Sequence, residues 1–337
     1  MRAIAYNKPQ PISADTALVD VVLPKPVPTG RDILVEVKAV SVNPVDTKIR
    51  ASTSPPGDEW KILGWDAAGV VAATGPEARL FKVGDEVFYA GAINRPGTNA
   101  EYHLVDERIV GTKPKSIDFA SAAALPLTAI TAWEMLFDRL QVVRPVAGAA
   151  NAIMIIGGAG GVGSIAIQIA RAMTDLTVIA SASRPETEAW VKALGAHYVV
   201  DHRQPIAAQI AALEIGQPSF VFSTTNTDGH IGEIVEMIAP QGRFGLIDDP
   251  VALDALPFKR KSVSLHWELM FTRSLFGTAD IEKQHDLLNQ IGELVDQGKI
   301  RTTLAEHFGT ITAANLKRAH ALLESGRSRG KIVLEGF

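Results

Sequence analysis

The sequence contains no cysteine. This absence excludes disulfide bonds, thiolate nucleophiles and every cysteine-ligated metal site, and it is typical of the reducing cytoplasm, where we expect the protein to work. Basic and acidic residues are nearly balanced, 33 against 37, without a basic block, so nucleic acid is not an expected partner. No apolar run has the length of a bilayer-crossing segment, so we expect no membrane partner either.

The length of 337 residues and the hydrophobic content of 47% are typical of two domains with sizeable cores. Apolar and polar residues alternate in the first part of the chain, as in Ile33–Val42 and Ala100–Val105, which predicts β-strands. An amphipathic helical period follows over Thr128–Leu140. Strands and helices then alternate, which predicts a parallel sheet with helices on both faces.

The strongest functional signal is a glycine-rich turn after a β-branched apolar run. The glycines follow the order G-x-G-x-x-G, and a helical pattern begins within them. Such a turn lets backbone approach a diphosphate, and the helix start adds N–H groups and partial positive charge. A plain glycine loop is the alternative, but the flanking strand and helix favour dinucleotide binding. The predicted phosphate-contacting residues are Gly158, Gly160, Gly161, Val162 and Gly163.

The residues after the second predicted strand of the sheet indicate which dinucleotide is bound. Proteins that bind NAD commonly carry an acidic residue there, about 20 residues beyond the glycines, which holds the ribose hydroxyls. Here the sequence has Ser181, Ser183 and Arg184 instead. Hydroxyls and a guanidinium suit a 2′-phosphate, which a carboxylate would repel. We therefore expect NADPH as the cofactor.

Six further motifs occur in one order along nearly the whole chain, and together they carry a family resemblance. They are Asn43–Asp46, Gly64–Gly69, Val83–Asp85, Gly97–Tyr102, Pro126–Trp133 and Ala159–Gly163. With them the chain resembles the medium-chain dehydrogenase/reductase superfamily, in particular its zinc-free quinone oxidoreductase branch and the proteins called zinc-type alcohol dehydrogenase-like. The resemblance implies the α/β class: a GroES-like, partly open β-barrel catalytic domain (1–127 and 278–337) and a Rossmann doubly wound parallel-sheet cofactor domain (128–277).

The resemblance also implies further cofactor contacts. In the quinone oxidoreductases a basic residue matches Arg184, a phosphate-binding tyrosine matches His202, and a C-terminal arginine falls near Arg327 or Arg329. Thr131 matches a position beside the nicotinamide or a phosphate. Ile247, at the end of the predicted fifth strand, is a further expected contact, because ligands lie beyond the carboxyl ends of such strands.

A metal centre is not expected. Zinc-dependent members of the superfamily use two cysteines and the histidine of a Gly-His-Glu motif, and here Trp65 and Asp66 replace the histidine and the glutamate. An indole N–H only donates, so it cannot ligate a cation. The eight histidines show none of the spacings that place two ligands on one helix face.

The expected catalytic residues are Asn43, Lys48 and Asp46. The Asn43 amide is a candidate donor to a carbonyl oxygen, and the matching asparagine of the quinone oxidoreductases lies near the nicotinamide. Lys48 replaces a tyrosine of that branch and could donate a hydrogen bond or a proton, with Asp46 as its partner. Trp65 and Trp267, with Trp60, are candidate residues of the substrate cleft, although aromatic residues also serve as core.

The expected function is hydride transfer from NADPH to a quinone or an α,β-unsaturated carbonyl. Two alternatives stay open at this stage: an alcohol dehydrogenase with a non-thiolate zinc site, and a nucleotide-binding protein with a sensing or structural role. The resemblance further implies a homodimer joined through an edge of the cofactor-domain sheet, for which Val263–Trp267 is the candidate strand.

Overall fold

The computed structural model describes residues 1–57 and 59–337. The chain forms two compact units. The first combines Met1–Ile130 with Phe271–Phe337, and the second is the continuous segment Thr131–Met270. These bounds differ slightly from residues 127 and 277, at which the sequence places the domain limits.

The first unit is mostly β-structure. Its strands, in chain order, are β1 (Arg2–Tyr6), β2 (Val19–Val22), β3 (Asp32–Val42), β4 (Lys61–Ile62), β5 (Ala67–Thr74), β6 (Glu86–Tyr89), β7 (Tyr102–Asp106) and β8 (Val110–Thr112). β1 pairs antiparallel with β2 and β4. In the larger sheet β3 pairs antiparallel with β5, β7 and the last strand of the chain. Burial alternates only over Val35–Ala39 of β3, which is the part that the sequence pattern identifies, and the residues on either side of it are buried on both faces.

Helix α1 (Pro44–Ser52) follows β3 directly. The sequence suggests a turn at Asn43-Pro44, but proline suits the first position of a helix, and Asn43 is its N-cap residue. This helix therefore carries Asp46 and Lys48. The other helices of this part of the chain are α2 (Phe119–Ala123) and α3 (Pro126–Trp133).

The second unit is a parallel sheet. Its strands are β9 (Ala150–Ile156), β10 (Thr177–Ser181), β11 (Tyr198–Val200), β12 (Pro218–Ser223), β13 (Arg243–Leu246) and β14 (Ser264–Trp267). They lie in the order β11-β10-β9-β12-β13-β14, and every pairing is parallel. This is the Rossmann order with its reversal beside β9, as the sequence predicts. Helices α4 (Gly161–Met173), α5 (Pro185–Ala193), α6 (Ile206–Ala211) and α7 (Thr227–Met237) connect the strands.

The chain then returns to the first unit. It forms α8 (Thr272–Phe276), α9 (Lys283–Asp296), β15 (Leu304–His307), α10 (Ala313–Glu324) and β16 (Lys331–Glu335). Strand β16 pairs antiparallel with β3, with Ile332 opposite Val42. The last strand of the chain therefore lies beside the strand that leads into Asn43.

One expectation about apolar runs was wrong. The helical run Phe119–Arg139 is long and apolar enough to cross a membrane by length and composition, but 83% of its most apolar window is buried inside the protein. The amphipathic period expected over Thr128–Leu140 is accordingly weak, because most of the segment is core. Residues Glu134–Arg139 widen into a π-helical turn, a feature that often occurs near functional sites.

Candidate active site

The glycine turn of the second unit is tied to the neighbouring strand. The Gly157 N–H donates to Ser181 Oγ at 2.9 Å, and the Gly158 N–H donates to the Ser181 carbonyl oxygen at 3.2 Å. Ser181 is only 1% exposed. The Ser181 hydroxyl therefore anchors the turn to β10. Gly157 has φ +81°, a backbone conformation that would be strained in a residue with a side chain.

Close packing explains two of the motif glycines. A Cβ on Gly163 would lie 2.3 Å from the Gly157 carbonyl oxygen, and a Cβ on Gly158 would lie 2.8 Å from Ala180 Cβ. Gly160 is the N-cap residue of α4, so the N–H groups of Gly161 and Val162 begin a helix and find no acceptor within it. The turn can therefore receive an anion close to its backbone.

Arg184 follows β10, and His202 and Arg203 follow β11, the neighbouring strand of the sheet. Arg184, at the N-cap of α5, pairs through Nε with Glu186 at 2.9 Å. Burial lowers the pKa of His202; Asp201 opposes this shift, and the charges of Arg203 and Arg184 reinforce it. Arg184 and His202 thus follow two neighbouring parallel strands, so both lie at the carboxyl edge of the sheet. Ser183 is half-buried next to Arg184.

The remaining predicted cofactor residues lie in separate places. Thr131 is buried in α3, and Ile247 is half-buried directly after β13. Arg329 belongs to the first unit, in the segment before β16.

The first unit holds a buried polar network that joins both ends of the chain. Lys331 Nζ donates to Asp66 Oδ2 at 3.0 Å, to the Val42 carbonyl oxygen at 3.0 Å, and to Asn43 Oδ1. Asn43 Nδ2 donates to Asp66 Oδ2 at 2.9 Å, and the Leu127 N–H donates to Asp66 Oδ1 at 2.8 Å. Burial raises the pKa of Asp66 even though Lys331 and Asn43 oppose the shift. The sequence analysis did not identify Lys331. The one signal for it is a charged residue at the start of the otherwise apolar strand 331–334.

This network defines what Asn43 can do. The residue is 1% exposed, and both ends of its amide are bonded within the protein. Asp46 is equally buried: Oδ2 accepts the Asn43 N–H at 2.6 Å and Oδ1 accepts the Gly64 N–H at 3.0 Å. Burial raises the pKa of Asp46 to about 7, and these backbone bonds and Lys331 oppose the shift. Lys48, on the same helix, is exposed.

The tryptophans differ in setting. Trp65 is fully buried; its indole N–H donates to the Ala92 carbonyl oxygen at 3.1 Å, and its ring packs edge-on against Phe271. Trp267 ends β14 and is 51% exposed. Trp60 is 42% exposed. Of the three tryptophans, Trp267 and Trp60 present accessible rings and Trp65 does not.

A zinc ion does not fit these residues. The chain has no thiolate; Trp65 stands at the histidine position and the first cysteine position falls near Asn43 or Val45, and the polar side-chain atoms of Trp65 and Asn43 are bonded within the protein. Over residues 1–57 and 59–337, no group of three histidine or acidic side chains is arranged to hold a metal.

The second unit also contains a buried acidic pair that the sequence did not indicate. Glu134, on the π-helical turn, and Glu268, after β14, are 0% and 4% exposed. Burial, the charge of Glu134 and a hydrogen bond that the protonated Glu268 carboxyl donates to Glu134 raise the pKa of Glu268 to about 8, and Arg139 opposes the shift. The Arg139 Nε donates to Glu268 Oε2 at 2.8 Å. Two carboxyls this close share a proton at neutral pH.

The comparisons with known proteins identify the family. Residues 29–115 match the alcohol dehydrogenase GroES-like domain, and residues 194–334 match the zinc-binding dehydrogenase domain. The chain therefore belongs to the medium-chain dehydrogenase/reductase superfamily of oxidoreductases, and the expected resemblance and fold class are confirmed.

Comparison with individual relatives and solved structures places the chain within the superfamily. A zinc-type alcohol dehydrogenase-like protein of Staphylococcus aureus is 40% identical over 99% of both chains. The crystal structure of a putative zinc-dependent alcohol dehydrogenase from Rhizobium etli is 67% identical, with TM-score 0.99, over 100% of this chain and 98% of that one. A Pseudomonas syringae quinone oxidoreductase structure is 25% identical, with TM-score 0.83, over 99% of both chains. The protein is thus one of the zinc-type alcohol dehydrogenase-like members of the superfamily.

Proposed function

We propose that the protein is an NADPH-dependent, zinc-independent reductase of quinones or α,β-unsaturated carbonyls. The observation that carries this proposal is that Ser183 and Arg184, and no acidic residue, follow β10, the strand that bonds the glycine turn. The fold similarity to a quinone oxidoreductase supports the substrate class. The poor fit of zinc favours it over the alcohol dehydrogenase alternative, because alcohol oxidation in this superfamily uses a metal-bound oxygen.

The proposed cofactor contacts lie in the second unit, except for Arg329 of the first unit. The N–H groups at Gly161 and Val162 suit the diphosphate, because a helix N-terminus offers both donors and partial positive charge. Arg184, His202 and the Ser183 hydroxyl suit the 2′-phosphate, and Arg184 provides the charge-assisted bond. When bound, NADPH supplies the hydride. Thr131 and Ile247 are the proposed nicotinamide neighbours, and Arg329 is a further proposed phosphate contact.

On the substrate side we assign different roles to the three candidate catalytic residues. Reduction of a conjugated C=C moves an electron pair onto the carbonyl oxygen, so a nearby donor stabilises the enolate that forms. The exposed Lys48 ammonium is the proposed donor and proton source. Asn43 and Asp46 are positioning residues, because their polar atoms already bind Lys331, Asp66 and backbone N–H groups. Trp267 is the proposed aromatic contact for the substrate.

We also propose that the protein acts as a homodimer in the cytoplasm. Strand β14 pairs with β13 on one side only, so its other edge presents unpaired backbone groups. The exposed Trp267 at its end supports contact with a second copy or with substrate. The absence of cysteine is consistent with the reducing compartment.

The decisive experiment compares NADPH and NADH. Arg184→Ala removes a charged hydrogen bond worth about 1.5–3 kcal/mol, so the Kd for NADPH rises about 10- to 150-fold and the Kd for NADH stays nearly constant. The matched control is Arg260→Ala, which removes an exposed arginine elsewhere in the same unit. Glu186→Gln, which removes the anion paired with Arg184, tightens NADPH.

Two results contradict the proposal. An equal loss for both cofactors in Arg184→Ala would remove the 2′-phosphate assignment. A wild-type protein that binds NADPH but turns over no member of a quinone and enone panel, with or without a chelator, would favour the sensing or structural alternative.

A further inference from the structure

Two histidine rings are in contact at the carboxyl edge of the parallel sheet. His202 follows β11, and His230 lies in the first turn of α7, which begins after β12. The ring centroids are 6.5 Å apart and the ring planes meet at 70°. His230 is 9% exposed, and neither ring has a hydrogen-bond partner in the described part of the chain. The ring nitrogens are therefore left for water or a ligand.

The acidic groups around this pair are bonded to other groups. Three carboxylates act on the two rings through their charge, and each accepts a hydrogen bond from elsewhere: Asp201 from Arg203, Asp248 from the Thr227 N–H and Glu233 from the Ala207 N–H. Arg184 and Arg203 add positive charge on the side of His202. The surroundings of the pair therefore favour the approach of an anion.

The same surroundings keep both rings neutral until an anion arrives. Burial lowers the pKa of His202 and of His230; the two arginines lower the former further, and the charge of His202 lowers the latter further. The three carboxylates oppose these shifts only in part. Both imidazoles are thus mostly neutral at pH 7. A doubly charged anion against them favours the protonated form.

We propose that His202 and His230 form one proton-accepting site for the 2′-phosphate of the cofactor, so that NADPH binding takes up a proton from solvent and NADH binding does not. This inference rests on the proposed binding of NADPH beside Arg184. A phosphomonoester carries about −1.5 to −2 charge at pH 7. An imidazolium donates from both nitrogens and makes charge-assisted bonds to phosphate oxygens. Either ring can take the proton, and like-charge repulsion disfavours a second one.

The test is isothermal titration calorimetry of the intact protein with NADPH and with NADH from pH 6.5 to pH 8.5, in buffers of different ionisation enthalpy. The phosphate has a pKa of about 6, so its own titration contributes little in this range. We expect proton uptake with NADPH, and a Kd for NADPH that rises at least about threefold from pH 6.5 to pH 8.5. The Kd for NADH stays constant.

Three variants assign the proton. His202→Phe/His230→Phe keeps two aromatic rings and removes the nitrogens, so proton uptake and the pH dependence of the Kd for NADPH disappear. Each single variant retains part of the dependence, because the other imidazole can still be protonated. The matched control is His307→Phe, which removes an exposed histidine of the first unit and leaves the dependence unchanged. A constant Kd for NADH shows that the variants keep their fold.

Three results would overturn the inference and leave the proposed function intact. The preference for NADPH over NADH could be the same from pH 6.5 to pH 8.5. The double variant could still take up a proton. His202→Phe could abolish the whole dependence while His230→Phe keeps the wild-type value, which would remove His230 from the site. A wild-type protein with equal Kd for NADPH and NADH at every pH would instead refute the 2′-phosphate assignment itself.

Discussion

Replacing Lys331 with methionine tests the buried network directly. The substitution keeps most of the side-chain volume and removes the ammonium, so the fully buried Asp66 carboxylate loses its counter-charge. Removal of one partner from a buried ion pair costs about 3–5 kcal/mol. The matched control is Lys113→Met: that lysine is similarly buried, but its acidic partner Glu86 is exposed and stays hydrated, so the loss should be smaller.

A second substitution separates the charge from the packing. In Lys331→Met/Asp66→Asn both charges of the pair are gone and Asp46 is the buried carboxyl that remains, common to Lys331→Met and the double variant; the Asn43 amide can turn so that its oxygen accepts from the new amide. We expect the double variant to lose at least about 1 kcal/mol less stability than the sum of the two single variants. Urea unfolding at pH 8 and pH 5 measures all four proteins. The loss in Lys331→Met should shrink at pH 5, because an unpaired Asp66 has a still higher pKa and takes up a proton.

The network would not depend on the ion pair if the losses in the two single variants were additive at both pH values. The same conclusion would follow if Lys113→Met cost as much as Lys331→Met.

Three further predictions concern pH and turnover. Both ring nitrogens of the buried His320 lack a hydrogen-bond partner in the described part of the chain, and burial lowers the pKa of His320 to about 3. Because the unfolded chain binds more protons than the folded one below pH 6.5, the free energy of unfolding falls by about 2 kcal/mol from pH 7 to pH 5. Urea unfolding of His320→Leu should show a smaller fall. The pKa of Glu268 is raised to about 8, so the folded state retains a proton that the unfolded state releases, and the free energy of unfolding falls as pH rises from 6 to 9. Glu268→Gln should reduce that fall by about 2 kcal/mol in the same assay. An unchanged dependence of stability on pH would contradict the shared proton. Lys48→Met should lower kcat for a quinone about 100-fold with little change in the KM for NADPH, and an unaltered kcat in stopped-flow and steady-state assays would exclude Lys48 from the reaction.

The local succession of strand and helix patterns was sufficient to predict the fold of the second unit. Strand β9, the glycine turn and α4 are adjacent in sequence, and each has its own period, so their succession can be read without any long-range contact. The Rossmann strand order then follows from right-handed connections. Ser181 shows the limit of such reading: it was predicted as a contact of the 2′-phosphate, and in the structure its buried hydroxyl accepts the Gly157 N–H.

The network of the first unit could not be predicted in the same way. Lys331 and Asp66 are 265 positions apart, and lysine is rarely buried, so nothing local indicates that they pair. Asn43 was identified by motif, yet its bond to Lys331 depends on β16 lying beside β3. The long apolar run Phe119–Arg139 is a core helix for the same reason: only tertiary packing reveals what covers it.

The pairing of Asp66 with Lys331 also fixes an order of events during synthesis. At about 5–20 residues per second, the ribosome takes roughly 10–50 s to travel from one residue to the other. Thr131–Met270 is continuous and has all its strands available before then. The β3 segment is thus made early but completes its packing late. Until β16 is synthesised, the Asp66 carboxylate has no counter-charge from Lys331 and the edge of β3 that pairs with β16 stays open.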